Sequence, residues 1–371
     1  MTSTDAPADL SRLLEPLDLG AVKARNRVFL APLTRMRAEQ PGDLVGDLHV
    51  EYYRQRATAG LVISEGTQIS EEAKGYADTP GVHTREQAAA WRRVTDAVHD
   101  EGSVVAAQLW HTGLVDHESL HGGRPPVSAS AVQVRTRTSL KDEQGRIVRA
   151  DVPVPRALET SEIPRLVDDY RRATATALEA GFDLVEIHAA HGYLLHQFLS
   201  AVTNHRTDAY GGSLENRQRV VLEVVDALVA EAGRGRVGIR VSPTGKFNGL
   251  EDAAGAEEGL DLAARLAERD LAYLHLSEPD WAGGPALDDQ WRERLRAAYP
   301  GTLVGAGSYD AAKAVRLIDA GLIDAAAFGR TFIANPDLPT RLATGAPLNP
   351  QRPETFYGGG AEGYTDYPTL G

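Results

Sequence analysis

The sequence predicts an α/β chain that closes into a single (β/α)8 TIM barrel with an inserted excursion after strand 3. Three observations predict it. Short apolar runs rich in strand formers alternate with longer helical segments, the pattern of a parallel sheet covered by helices. The alternation occurs eight times, the number that closes a barrel. The unusual polar residues fall at the C-terminal ends of different strands, the face on which a barrel assembles its site. A chain of 371 residues with 42 % hydrophobic content suits a barrel with insertions. No break in composition separates two halves, so residues 1–371 are expected to form one domain.

Residues 1–20 read as an irregular lead-in. Asn26-Arg27-Val28-Phe29-Leu30-Ala31 is the first strand and ends in Pro32-Leu33-Thr34-Arg35. A helix over roughly 48–59 stops at Gly60, and Leu61-Val62-Ile63-Ser64-Glu65 follows, ending in Gly66-Thr67-Gln68. The loop Lys74-Gly75-Tyr76 and a helix over roughly 85–101 lead to the third strand, 103–111. Residues 112–160 then break the rhythm with Gly, Pro, Ser and charge, and their alternating runs near 132–138 and 146–152 predict a hairpin. An interruption of that length is a lid or binding loop, or else a surface decoration. Pro164 opens a helix that Gly181 stops, and Phe182-Asp183-Leu184-Val185-Glu186-Ile187 is the fourth strand. Ser213 is placed to cap a helix over 214–232. Strands over 236–243, 271–276, 302–307 and 325–330 alternate with helices over roughly 255–269, 288–298 and 309–320. A tail rich in Gly, Tyr and Pro covers 346–371.

Composition narrows the function. A formal net charge of −13 argues against nucleic acid or an acidic membrane as partner. The absence of cysteine excludes disulfides, thiolate nucleophiles and cysteine-ligated clusters, and fits a cytoplasmic location. Residues 1–10 lack both a basic region and an apolar run, so no signal peptide is expected. No stretch approaches the ~20 apolar residues of a membrane span.

The fourth strand carries the most concentrated chemistry. His188, His191 and Tyr193 fall within six residues where it should end. Imidazole N–H groups can hold an oxyanion, and a phenol beside them can deliver a proton. A His-x-x-His metal site and plain polar capping are the other readings. Metal is disfavoured because His-Glu-x-x-His is absent and no cysteine completes a softer site.

The other strand ends contribute Thr34, Gly66, Gln108, Arg240, Gly307 and Gly329-Arg330. Gly307 and Gly329 expose backbone N–H groups before helices, and Arg330 can fork onto phosphate oxygens, at the two strands where barrels often bind phosphate. Loop glycine beside a surface arginine is the plain alternative. A dinucleotide fingerprint fails, because Asp310 stands where its third glycine belongs. The Thr34 hydroxyl, the Gln108 amide and the Arg240 cation suit the edge of a flat heterocycle that becomes anionic on reduction, and flavin mononucleotide meets that description. Gln108 could instead pair with backbone, and Arg240 with Glu186.

Several segments then match a known family in order. They are Asn26-Arg27-Val28 through Thr34-Arg35, Tyr52-Tyr53-Arg54-Gln55-Arg56, Gln108-Leu109-Trp110-His111-Thr112-Gly113, Glu186 through Leu194, Arg206-Thr207-Asp208, Tyr210-Gly211-Gly212-Ser213, Phe328-Gly329-Arg330 and Tyr357-Gly358-Gly359-Gly360. On these the chain resembles the old yellow enzyme family of FMN-dependent ene-reductases, most of all the bacterial branch that reduces N-ethylmaleimide, enones and nitrate esters. The resemblance implies FMN as cofactor and NAD(P)H as reductant. It implies that Ala31, Pro32, Leu33 and Gly66 contact the flavin, that Thr34 bonds it near O4, that Gln108 meets its pyrimidine edge and Arg240 its N1–O2 region. Gly307, Gly329 and Arg330 would hold the phosphate, and His188 and His191 the substrate oxygen. Tyr193 would donate the proton, while Tyr76, Trp110 and Tyr357 would shape the pocket.

The implied substrate is a small electron-poor alkene such as an enone, maleimide or nitroalkene, handled by a monomer or homodimer. Nitro-compound or nitrate-ester reduction on the same site is the first alternative. A non-redox phosphate-binding lyase or isomerase is the second, and an inert ligand-binding barrel the third. Two positions depart from the family pattern. Gly66 stands where alanine is expected, removing a methyl beside the flavin. Leu114 stands where arginine is expected, which puts a polar contact in doubt.

Overall fold

Eight parallel strands hydrogen-bond in a closed ring in the computed structural model, which describes residues 10–370. They are β1 (Val28–Leu30), β2 (Leu61–Ile63), β3 (Val104–Trp110), β4 (Leu184–Ala189), β5 (Val237–Val241), β6 (Tyr273–Ser277), β7 (Leu303–Ala306) and β8 (Ala325–Phe328). Each pairs with the next in the chain and β8 returns to β1, so the ring has no open edge.

Successive side chains of a strand point to opposite faces. Phe29, Leu61, Ile63, Ala106, Leu184, Tyr273, Val304 and Ala325 therefore form one buried cluster inside the ring. Their neighbours Val28, Leu30, Val62, Val105, Val185 and Ile187 join the larger cluster beneath the helices. Burial on both faces explains why these strands read as continuous apolar runs. Gly238 of β5 leaves space that the Tyr273 ring occupies, and a Cβ there would strike it.

Side-chain caps start several helices, at Ser213 as the sequence predicts. Ser213 Oγ accepts from the Asn216 amide at 3.3 Å and starts Leu214–Ala232. Thr84 and Gln87 exchange reciprocal bonds at the start of Arg85–Asp100. Asp288 and Asp310 cap Asp289–Ala298 and Ala311–Asp319. No helix among the described residues is long and apolar enough to cross a membrane.

The helix read over 48–59 ends early, at Gln55, and the strand read over 325–330 ends at Phe328, because Arg330 opens a short helix. Three further features differ from the sequence reading. The lead-in is not wholly irregular: Leu10–Leu14 is a 3-10 turn, and Leu17–Leu19 pairs antiparallel with Val22–Ala24. Leu19 and Ala24 pack fully buried in the inner cluster, so this hairpin plugs the barrel. Its arms are three residues each, too short to show alternation. Residues 1–9 of the lead-in lie outside the described residues. The excursion does hold a hairpin, but its first arm comes later, Arg137–Lys141 against Ile147–Asp151. Tertiary contact sets that position: Ala77 N–H donates to the Ser139 carbonyl at 2.9 Å, and Thr138 Oγ1 bonds the Gly75 carbonyl. Finally, β4 runs two residues past Ile187, because His188 and Ala189 pair with Arg240 and Val241.

The tail returns to the same end of the barrel. Arg35 donates to the carbonyls of Phe356 at 2.8 Å and Gly363 at 2.9 Å, and Arg37 to Gly360 and Thr355, both at 3.0 Å. These bonds bring Phe356 and Tyr357 to the rim of the cavity described next.

Candidate active site

A cavity of about 730 Å³ opens at the C-terminal ends of the barrel strands. Every residue given a site role in the sequence lines it: Ala31, Pro32, Leu33, Thr34, Gly66, Tyr76, Gln108, Trp110, His188, His191, Tyr193, Arg240, Gly307, Gly329, Arg330 and Tyr357. More than three hundred positions of chain separate the first from the last, and the barrel register brings them together.

The floor is a charged layer beneath the rim. Glu186 is fully buried, and its two oxygens are taken by Gln108 Nε2 at 2.7 Å and His275 Nδ1 at 2.8 Å. Burial opposes ionisation of Glu186, but His275, Arg240 and Gln108 together hold its pKa below the ordinary value. Burial keeps the His275 ring below its ordinary pKa, so it serves as a neutral donor. The Arg240 side chain makes no hydrogen bond to Glu186 or to any other described residue; the residue is 7 % exposed and its Nε is buried without a partner. The pairing of Arg240 with Glu186 considered above does not form, and Gln108 pairs with Glu186 rather than with backbone. A buried guanidinium left unmatched against a cavity is a site for an anionic or carbonyl-rich ligand.

The two histidines are held by different devices. The His188 ring accepts the Ala190 amide N–H on Nδ1 at 3.2 Å, which leaves the Nε2 hydrogen free to donate. His191 sits at φ 58°, in the left-handed region, held there by three contacts. Its amide donates to Ser242 Oγ at 2.8 Å, its carbonyl accepts from Asn248 Nδ2 at 2.8 Å, and its Nε2 lies 2.8 Å from Ser277 Oγ. Burial first, then the Arg240 charge, push both imidazoles well below their ordinary pKa. Both are neutral donors at pH 7.

Beside them stands an aromatic wall. Tyr193 Oη and Tyr76 Oη are 3.1 Å apart. The Trp110 ring stacks on Tyr76 at 5.4 Å and meets Tyr193 edge-on at 4.9 Å, and His188 meets Tyr193 at 5.0 Å and 90°. Burial drives the Tyr193 phenol well above its ordinary pKa, so it retains its proton.

At the opposite end, Gly307 and Ser308 follow β7, and Gly329 and Arg330 follow β8. The exposed Arg330 guanidinium lies 5.9 Å from the centre of the Trp281 ring. The room at Gly307 is used differently from the sequence reading. A Cβ there would strike Asp280, whose Oδ1 also accepts the Ser308 amide at 2.8 Å. Gly329 is the open position, where a Cβ would meet only Leu33, at 3.4 Å.

The two departures resolve. A methyl on Gly66 would fall 2.5 Å from Trp110 Cε3, so the missing side chain makes room for the indole. Leu114 does not line the cavity; it is fully buried in the apolar cluster of Tyr76, Trp110 and Val115. Sequence reasoning missed Met36, Ser139, Ile147, Arg149, Trp281 and Phe356, which also line the cavity. Trp281 lies four residues beyond β6 and the strand-end rule could have found it. Ser139, Ile147 and Arg149 come from the excursion hairpin, where no such rule applies. Among the described residues no group of three or more His, Asp or Glu is placed to hold a metal ion.

Residues 12–349 match the family described as NADH:flavin oxidoreductase / NADH oxidase. Among curated proteins, 12-oxophytodienoate reductase 1 of Oryza sativa subsp. japonica is 43 % identical over 364 residues, covering 96 % of this chain and 93 % of the relative. 12-Oxophytodienoate reductase 2 of Arabidopsis thaliana is 40 % identical over 365 residues, covering 96 % of each. Among solved structures, morphinone reductase in complex with tetrahydroNAD superposes with a TM-score of 0.93 at 48 % identity, covering 97 % of this chain and 98 % of the other. The old yellow enzyme homologue of Zymomonas mobilis superposes with a TM-score of 0.92 at 40 % identity, covering 96 % and 99 %.

Proposed function

The chain belongs to the NADH:flavin oxidoreductase / NADH oxidase family, the old yellow enzymes, and on that premise we propose that it reduces the C=C bond of enones, maleimides and nitroalkenes. It is a flavin ene-reductase with FMN as cofactor and a reduced nicotinamide as reductant. The whole chain is read as one flavin-binding unit with 112–160 inserted.

The residues present fit FMN. The unmatched Arg240 cation, beside Gln108 oriented by Glu186, would suit the electron-rich edge of the ring, and Thr34 would offer it a hydroxyl. Gly329 and Arg330 suit the phosphate, with Gly307 close by. Bound there, FMN supplies the hydride.

This chain's own groups account for the remainder. The neutral His188 and His191 donate to the carbonyl or nitro oxygen of the alkene and draw charge from its β-carbon. Their neutrality makes them hydrogen-bond donors without adding buried charge. Tyr193 holds its proton until the α-carbon becomes basic, then delivers it. The observation that carries the reading is the convergence of His188, His191 and Tyr193 on the cavity that the unmatched Arg240 faces. An anaerobic titration of the reduced protein with cyclohexenone, a nitroalkene and a nitrate ester tests it. Flavin reoxidation by the first two is expected, and reoxidation by the nitrate ester alone would transfer the assignment to nitrate-ester reduction.

A further inference from the structure

We propose that Gly66 is a specificity-determining residue: with no side chain, it lets the Trp110 indole sit back at the end of β2 and opens the cavity beside Tyr193 to enones with a bulky substituent on the α-carbon. The inference rests on the reading of Tyr193 as the group that protonates that carbon.

The first observation is steric. A Cβ on Gly66 would lie 2.5 Å from Trp110 Cε3, 2.8 Å from Cδ2 and 3.1 Å from Cζ3. These atoms belong to a rigid ring, so a side chain here must displace the whole indole. Gly66 is not among the residues of positive φ, so its backbone does not itself require glycine.

The second observation is where the indole could go. Trp110 is 2 % exposed and packs in a cluster with Leu114 and Val115, both fully buried. That side offers no void for an indole to enter. Its ring neighbours are Tyr76 at 5.4 Å, Tyr193 at 4.9 Å and His188 at 6.3 Å, all lining the cavity. An indole pushed off Gly66 therefore advances on the substrate side, next to the Tyr193 hydroxyl. Its Nε1 is buried without a partner, so no hydrogen bond anchors the ring, and packing alone sets its position.

The third step is chemical. Protonation places the α-carbon within reach of the Tyr193 hydroxyl. A substituent on that carbon then projects toward the wall of Trp110 and Tyr76. The depth of that wall decides how large the substituent can be, and Gly66 sets the depth.

The test is a double-mutant cycle on the FMN-loaded enzyme with Gly66→Ala, Trp110→Phe and both. It reads the ratio of kcat/KM for 2-butylcyclohexenone to that for cyclohexenone. Gly66→Ala is expected to lower the ratio roughly tenfold or more, the discrimination that a misplaced methyl can produce in an apolar pocket. In the Trp110→Phe background the ring atoms that the methyl would meet at 2.5 and 3.1 Å are absent, and the same substitution should lower the ratio at least about threefold less than in the native background, a coupling that independent sites do not show. FMN affinity of the apoproteins is read by flavin fluorescence alongside, and each kcat/KM is referred to bound flavin. An unchanged ratio in Gly66→Ala, an equal fall in both backgrounds, or a loss of FMN affinity matching the loss of turnover would overturn the proposal. Should Gly66→Ala fail to fold by circular dichroism, Trp110→Phe alone decides: a ratio above native supports the proposal and an unchanged ratio overturns it. Failure of the underlying reading looks different, since Tyr193→Phe would then reduce both enones at the native rate whatever residue 66 is.

Discussion

The hydroxyls of Tyr76 and Tyr193 lie 3.1 Å apart, and the Trp110 ring packs against both of theirs. The pair fixes the Tyr193 hydroxyl without ionising it, because burial raises the pKa of both phenols. Tyr193→Phe should slow cyclohexenone reduction by about 10²–10⁴, the usual contribution of a positioned acid. Reduction of bound flavin by NAD(P)H should remain near native. Anaerobic stopped-flow of the two half-reactions checks this, and an equal fall in both would remove the proton-donor role.

Tyr76→Phe removes a partner rather than the acid. A net hydrogen bond of about 1 kcal/mol predicts a loss of roughly fivefold in cyclohexenone reduction, well short of that in Tyr193→Phe. A loss as large as that of Tyr193→Phe would make Tyr76 the donor instead.

His188 and His191 offer a direct reading of the oxygen grip. Each lost donor should cost about 10²–10³ in alkene reduction, and the double alanine variant should no longer bind phenol, seen as loss of the long-wavelength absorbance of the complex. Since burial holds both pKa values well below 6.5, native turnover should show no histidine limb between about pH 6 and 8. A limb near 6.5 that vanishes in the double variant would contradict their neutrality.

Arg240→Gln should weaken FMN retention by about tenfold to a hundredfold, the range of a hydrogen bond to a charged group. Fluorescence titration of the apoprotein measures it directly. Native affinity in the variant would place the ring away from the unmatched guanidinium.

Stability should rise with pH through the range 4.5 to 6.5. Burial holds His49 down to about 3 and His196 down to about 4, from 6.5, so the unfolded chain binds protons there that the folded chain does not. The slope of unfolding free energy with pH follows the protons bound in the unfolded state minus those in the folded state, and is positive for these groups. Glu65 works against them, since burial lifts it from 4.5 to about 7 and the folded chain keeps its proton longer. Two histidines against one carboxyl leave a net positive slope, and His188 and His191 add to it. Melting temperatures should climb from about pH 5 to 6.5, and a flat or falling trend would contradict the neutral buried histidines.

The sequence by itself determined the barrel and the identity of the strand-end residues. Alternation of apolar runs and capped helices is a local property: Ser213 caps its helix because it lies next to it. Convergence of Thr34, Gln108, His188, Arg240 and Arg330 also followed from sequence, because a closed parallel ring carries every strand end to one rim. Tertiary structure alone decided how those residues are used. That Glu186 takes Gln108 and His275 and leaves Arg240 unmatched depends on the register of β3, β4, β5 and β6. That Gly66 makes room for an indole, and Gly307 for Asp280, depends on contacts across 44 positions of chain in the first case and 27 in the second. The excursion hairpin was visible as a pattern, but its register and the rim residues Ser139, Ile147 and Arg149 were not. Bonds to Gly75 and Ala77, some sixty residues earlier, hold it in place, and no periodicity within the hairpin encodes them.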